Sequence, residues 1–107
     1  MKVLKFETGE RVFLRYQLTE GGSASDITGM TFRFAAKERH TDATYKISPV
    51  TGSIEDPEQG KFSFVLDMPS TPFAGVYSVV MEDAAGNRTV LSQRGGDPIR
   101  VIESLLD

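Results

Sequence analysis

The 107-residue sequence contains no cysteine and no tryptophan, and His40 is its single histidine. Without cysteine, neither a disulfide bond nor a thiolate zinc site can form, and the composition favours a reducing cytoplasm. A histidine metal cluster or a Ser-His-Asp triad would depend on His40, which lies in the charged run of residues 37–42. A general base needs a partner and an apolar pocket, so the sequence favours a solvated loop around His40.

Long apolar runs and an excess of positive charge are also absent. No run reaches the roughly 20 apolar residues of a membrane-spanning helix, and Lys2 and Lys5 come too early for a signal peptide. Twelve Lys and Arg face fifteen Asp and Glu, which gives a net charge of −3 with both signs interspersed. We therefore expect neither nucleic acid nor an anionic membrane as the main partner. The lack of tryptophan counts against a sugar-binding surface.

Alternation of apolar and polar residues is the clearest pattern that is present, and residues 60–88 show it best. Phe62, Phe64 and Leu66 share one face of a predicted strand, with Val65 as an exception on the polar face. After a proline-containing loop, the alternation resumes over residues 75–83, with Tyr77, Val79 and Met81 on one face. Residues 83–87 then predict a hairpin to a strand at residues 88–92.

The same alternation predicts further strands on both sides of this stretch. A strand is predicted over residues 12–18, and Phe13 is the only apolar residue on its polar face. Phe32, Phe34 and Ala36 are predicted to face inward at residues 30–37, and Tyr45 and Ile47 at residues 44–47, with Pro49 and Gly52 closing that strand. Short strands are also predicted at residues 1–6, where an edge position is favoured, near Ile54, and at residues 99–102.

About eight short strands without helical periodicity predict a single all-β domain over residues 1–107. A β-sandwich with antiparallel strands is favoured, and a small barrel is the alternative. We expect Phe34, Phe64 and Tyr77 to meet in one dry interior. Leu105 and Leu106 either pack beneath the sandwich or form a contact for a partner.

Two groups of oxygen-bearing side chains lie close together in the sequence and could bind a metal ion. Glu55, Asp56 and Glu58 could supply oxygens to calcium, but their spacing and Pro57 favour a turn in which Asp56 accepts from backbone amides and Gly60 is left-handed. Asp83 with Asn87 is likewise interpreted as turn chemistry.

Two short motifs receive structural interpretations. Residues 87–89 match the N-glycosylation pattern, which means little outside a secretory context. Residues 94–97 contain two glycines that could cradle a phosphate, but no helix follows to supply a positive terminus, so a loop is favoured.

Four segments, in their order and spacing, carry a resemblance to a known family. They are residues 9–19 (GERVFLRYQLT), residues 26–34 (DITGMTFRF), residues 54–62 (IEDPEQGKF), and residues 74–77 with 82–88 (AGVY and EDAAGNR). Together they resemble the N-terminal domain of the phage baseplate upper protein family, an immunoglobulin-like sandwich of tail baseplates. Family members continue into a helical stem that carries receptor-binding subunits, whereas this sequence ends at Asp107, so the expectation is limited to docking.

The resemblance implies a non-enzymatic structural protein of a phage or prophage tail, made in the bacterial cytoplasm and assembled into the virion. Its implied partners are other tail or baseplate proteins and further copies of itself. No catalytic, cofactor-binding or metal-binding residues carry over from the family. The alternative function is a bacterial immunoglobulin-like module that binds a carbohydrate or a cell-surface partner. An enzyme is disfavoured because no catalytic set is assembled in the sequence.

Overall fold

Strands form nearly all the regular structure in the computed structural model, which describes residues 3–91 and 96–104. One short 3-10 helix, Pro57–Gln59, interrupts them, and these ranges contain no α-helix. The eleven strands are β1 (Leu4–Glu7), β2 (Arg11–Gln17), β3 (Thr19–Glu20), β4 (Ser23–Ala24), β5 (Thr31–Lys37), β6 (Ile47–Thr51), β7 (Ser53–Asp56), β8 (Lys61–Asp67), β9 (Phe73–Glu82), β10 (Arg88–Val90) and β11 (Asp97–Ile102).

The strands form two main sheets and a small hairpin. The six-stranded sheet has the order β1-β11-β9-β5-β6, and β10 pairs with the far part of β9. The three-stranded sheet has the order β2-β8-β7, while β3 and β4 pair with each other. All pairs are antiparallel except β1 with β11, which is parallel and places Leu4 beside Ile99. The prediction of antiparallel strands throughout is wrong for this pair, although β1 does lie at a sheet edge as expected.

The two sheets contact each other through aromatic rings. Phe32 of the six-stranded sheet stacks on Phe62 of the three-stranded sheet, with 3.8 Å between ring centroids. Phe34 lies 5.7 Å from Phe64 and stacks on Tyr77 at 5.3 Å. The predicted meeting of Phe34, Phe64 and Tyr77 in one interior is therefore confirmed, since all three side chains are buried.

Burial follows the predicted alternation on the central strands. The residues predicted to face inward on β5 and β8 are all buried, and so are Tyr77 and Val79 on β9, whereas Met81 is half-buried. The two exceptions, Phe13 and Val65, are 54% and 47% exposed, as expected for side chains on the polar face. The alternation of apolar and polar residues thus identifies the core residues of these strands, because one face of each sheet is buried.

Strand β6 corrects the prediction for residues 44–47. The strand begins at Ile47, which is buried, and Tyr45 precedes it with 47% of its surface exposed. Pro49 lies inside β6 and does not close it, because β6 is an edge strand and one side of its backbone needs no donor. The register between β5 and β6 also shifts between Phe34 and Ala36, and a periodic pattern does not anticipate such a shift.

The connection from β7 to β8 is the predicted hairpin with one difference. Gly60 is left-handed as expected, with φ of 69°, and its N–H donates to the Pro57 carbonyl at 3.3 Å. Asp56 precedes the 3-10 helix, but its side chain makes no capping hydrogen bond. The predicted role of the Asp56 carboxylate is therefore wrong, because the turn closes through backbone groups.

Some predictions fall outside the described residues. They concern Leu105 and Leu106, the end of the strand predicted to reach residue 92, and the first two residues of the 94–97 motif. Within the described residues there are eleven strands, more than the predicted number, and β3 and β4, of two residues each, are the ones that were not predicted. The part of the chain that is described contains no helix of the length and hydropathy needed to cross a membrane.

Candidate functional site

A half-open groove of about 730 Å³ lies on the outer face of the six-stranded sheet. Its floor comes from strands β5 and β9, whose outward residues are in register. Arg33 lies opposite Val80, and Lys37 lies opposite Val76. We call this surface the outer groove. It combines an apolar floor with charged flanks on the side of the sheet that faces away from the core.

The charges of the outer groove are mostly basic. Arg33 forms an ion pair with Glu82 at 3.9 Å, and the Lys37 ammonium lies 4.8 Å from the centroid of the Tyr45 ring. Arg88 lines the same groove and forms no ion pair within the described residues. Arg33, Lys37 and Arg88 outnumber the carboxylate of Glu82 in the groove lining. The groove therefore has an excess of positive charge, although the net charge of the chain is −3. The outer groove therefore presents cations beside an exposed aromatic ring and an apolar floor.

A second exposed apolar surface lies on the outer face of the three-stranded sheet. Phe13 of β2 and Val65 of β8 are directly opposite each other in the register. The Arg15 guanidinium lies 4.8 Å from the centroid of the Phe13 ring, and Arg15 also pairs with Glu55 at 3.9 Å. We call Phe13, Val65 and Arg15 the Phe13 patch. It presents apolar area within a rim of charges, as protein contact surfaces do.

The three carboxylates at the loop between β7 and β8 lie on the surface. Glu55, Asp56 and Glu58 are all exposed, and Glu55 is directed to Arg15. Among the described residues, no group of three His, Asp or Glu side chains is placed to hold a metal ion. The loop is therefore a connection between β7 and β8.

Asp83 organises the hairpin between β9 and β10. Its carboxylate accepts hydrogen bonds from the Ala85 and Asn87 amides at 2.9 Å and from the Asn87 side chain at 3.1 Å. These hydrogen bonds lower the pKa of Asp83 because they stabilise its charged form, and the bonds from Asn87 have the largest effect. Gly86 completes the turn with φ of 88°. The Asp83 and Asn87 pair is thus turn chemistry, as the sequence indicated.

His40 is exposed in a turn and is one of the residues that line the outer groove. The sequence placed it in a solvated loop but did not connect it with Tyr45 and the outward side of β5. The outer groove was missed because its residues come from distant strands. One signal was available in the apolar residues Val76, Val80 and Val90, which fall on the outward side of their predicted strands.

Comparison of the sequence with protein-family models gives no match, and comparison with curated proteins gives none.

Proposed function

We propose that this chain is a non-enzymatic structural domain of a phage or prophage tail, which docks onto other baseplate proteins and onto further copies of itself. The observation that carries the proposal is the apolar area exposed on the outer faces of both sheets, in the outer groove and in the Phe13 patch. Exposed apolar surface flanked by charge is typical of protein contact sites. On this proposal the chain is made in the bacterial cytoplasm and ends in the virion.

The proposal includes an immunoglobulin-like β-sandwich, and the strand order supports it. In immunoglobulin domains, one sheet contains the neighbouring strands B, E and D, and the other contains G, F and C. Here β2-β8-β7 corresponds to the first set and β11-β9-β5 to the second, with β6 in the position of the added strand C′. Stacking of Phe32 on Phe62 across the sheets is consistent with a sandwich core. The resemblance of residues 9–19, 26–34, 54–62, and 74–77 with 82–88, to the baseplate family points the same way.

The direct test is to purify particles from an induced lysogen that encodes this chain, to identify it by mass spectrometry, and to locate it by imaging. The proposal expects the chain in intact particles at a fixed position in the tail. Its absence from purified particles would overturn the proposal.

A variant series tests the outer groove in the same particles. Val90 is 54% exposed on the groove, and Val90→Asp places a charge on its apolar surface. We expect at least about a tenfold loss of the chain from particles, since the carboxylate replaces apolar contact area and reduces the positive charge of the groove. The matched control is Thr19→Asp, which adds the same charge at an exposed position of the β3–β4 hairpin and should leave incorporation unchanged.

A second candidate, a binding module for a carbohydrate or a cell-surface partner, is favoured by one observation. Tyr45 is 47% exposed and lines the outer groove, where an aromatic face and the Lys37 ammonium could hold a sugar ring. A glycan array with wild-type protein and Tyr45→Ala tests it. This candidate requires glycan binding that Tyr45→Ala abolishes, and an array without binding by the wild-type protein would dismiss it.

A further inference from the structure

Strand β2 is the longest unprotected edge in the described part of the chain. Its seven residues pair with β8 without a register shift and include neither proline nor glycine. The other edges of the two main sheets are blunted, since β1 has four residues, β10 has three, β6 contains Pro49, and β7 has four residues with a register shift. Short length, proline, bulges and charged side chains are features that prevent sheet edges from pairing with other chains. Strand β2 has only the last of these, Arg11 and Arg15, and both form ion pairs within the chain.

The open edge follows from the path of β1. This strand directly precedes β2 but pairs with β11 in the other sheet, so it leaves β2 with one neighbour. The inward residues Leu14 and Tyr16 of β2 are only half-buried, whereas Phe64 and Phe62, which lie opposite them on β8, are buried. Apolar surface of the core therefore reaches the solvent at this edge, and a further strand would cover it.

Backbone hydrogen bonds show which residues of β2 face the edge. The Glu10 carbonyl accepts from the Met68 amide at 2.8 Å, and the Leu18 amide donates to the Gly60 carbonyl at 2.8 Å. Both bonds continue the register in which Leu14 lies opposite Phe64. Because alternate residues of an antiparallel strand bond to the same neighbour, the even-numbered residues of β2 face β8. The odd-numbered residues direct their N–H and C=O groups to the open edge.

We propose that a second copy of this chain adds to this edge, with the two β2 strands antiparallel and Leu14 facing Leu14 of the second copy across a two-fold axis. In this register all seven residues of β2 are paired. Arg15 lies opposite Phe13 of the second copy, and Arg11 lies opposite Gln17. The contact of Arg15 with the Phe13 ring, at 4.8 Å within one chain, is then repeated between the chains.

The arginine side chains of β2 favour this register over the two adjacent registers, which are centred on Phe13 and on Arg15. Centring the pair on Phe13 would place Arg11 opposite Arg15 of the second copy, and centring it on Arg15 would place two Arg15 side chains together. Like charges directly opposite each other destabilise a sheet. The proposed pairing produces one sheet with the order β7-β8-β2-β2-β8-β7 and requires no other protein. It rests on the proposed self-association and names its surface, while the isolated chain tests it without any tail protein, so its failure is distinguishable from failure of the docking role in a tail.

Cysteine crosslinking of the full chain tests the pairing, since the chain has no cysteine of its own. In Leu14→Cys the two new residues form a non-hydrogen-bonded pair with Cα atoms about 4.5 Å apart, which suits a disulfide. The matched control is Phe13→Cys, whose two Cα atoms are about 8 Å apart in this register. With oxidised glutathione, we expect a covalent dimer from Leu14→Cys and at least about tenfold slower crosslinking from Phe13→Cys, although Phe13 is 54% exposed.

Sedimentation equilibrium with two charge variants tests the register without relying on Leu14. Phe13→Lys places a lysine opposite Arg15 of the second copy twice in each dimer, so we expect the dimer dissociation constant to rise about tenfold. Phe13→Glu places a carboxylate there and should leave the dissociation constant no higher than in the wild type.

Four results would overturn the proposal. They are a wild-type chain that stays monomeric up to millimolar concentration, equal weakening by Phe13→Lys and Phe13→Glu, crosslinking of Phe13→Cys as fast as Leu14→Cys, and a monomeric chain whose β2 edge binds a strand of another protein. If Leu14→Cys does not fold, the charge variants decide the question.

Discussion

Tyr16 lies half-buried on β2, so its phenol is partly removed from water. Burial, followed by the nearby Tyr77 and Asp97, raises the pKa of Tyr16 to about 12. The ordinary value, which applies to the unfolded chain, is about 10. Since the neutral phenol is favoured in the folded state, its stabilising contribution is complete below about pH 10 and is lost as the pH rises to about 12.

We expect the free energy of unfolding of the wild-type chain to fall over this pH window and that of Tyr16→Phe to fall less. Urea unfolding at several pH values measures both, and absorbance of ionised tyrosine assigns the titration. The same pH dependence in the two proteins would show that Tyr16 does not couple ionisation to folding.

At the residue scale the sequence also assigned Phe13 and Val65 correctly to the polar faces of their strands. Alternation determines which side of a strand a residue occupies, but the pairing of Phe13 with Val65 depends on the register between β2 and β8. The prediction that Tyr45 faces inward on a strand is wrong. Tyr45 and Ile47 alternate with polar residues as they would in a strand, but pairing with β5 begins only where β6 starts, at Ile47.

At the scale of single elements, the turn into β8 depends on Gly60 for two reasons. Its φ of 69° is left-handed, and a Cβ there would collide with the Leu18 carbonyl and lie 2.8 Å from the Ser25 carbonyl. Gly29 provides a matched comparison, because its φ of 79° is similar and a Cβ would meet nothing within 4 Å. The two glycines share the conformational requirement and differ in the space around them.

We expect Gly29→Ala to lower the free energy of unfolding by about 1 kcal/mol, the cost of a left-handed alanine. Gly60→Ala should cost about 1–3 kcal/mol more, because backbone atoms must also move. Chemical denaturation of both variants measures the difference. Equal losses would show that close approach of the Leu18 carbonyl is not what requires glycine at position 60.

At the scale of the whole molecule, the two sheets are joined by the stack of Phe32 on Phe62, whose ring planes are 11° apart. Both side chains are buried, so separating the two sheets would expose both rings to solvent. The molecule should therefore unfold as one cooperative unit.

A double-mutant cycle measures this coupling. We expect Phe32→Ala and Phe62→Ala each to cost about 3–5 kcal/mol, with the double variant less destabilised than the sum by about 0.5–1.5 kcal/mol or more. If the single variants are too unstable to measure, Phe32→Leu and Phe62→Leu form a gentler cycle with the same sign. Strict additivity would mean that the two rings do not act on each other.

The sequence by itself determined the all-β class, most of the inward-facing residues and the hairpin chemistry of Asp83 and Gly60, because these depend on local periodicity and local hydrogen bonds. It did not determine the parallel pairing of β1 with β11, the register shift at Ala36, or the outer groove assembled from β5, β9 and β10. Tertiary structure decided these features because they depend on which distant segments meet. The open edge of β2 is the clearest case, since it exists only because β1 pairs in the other sheet.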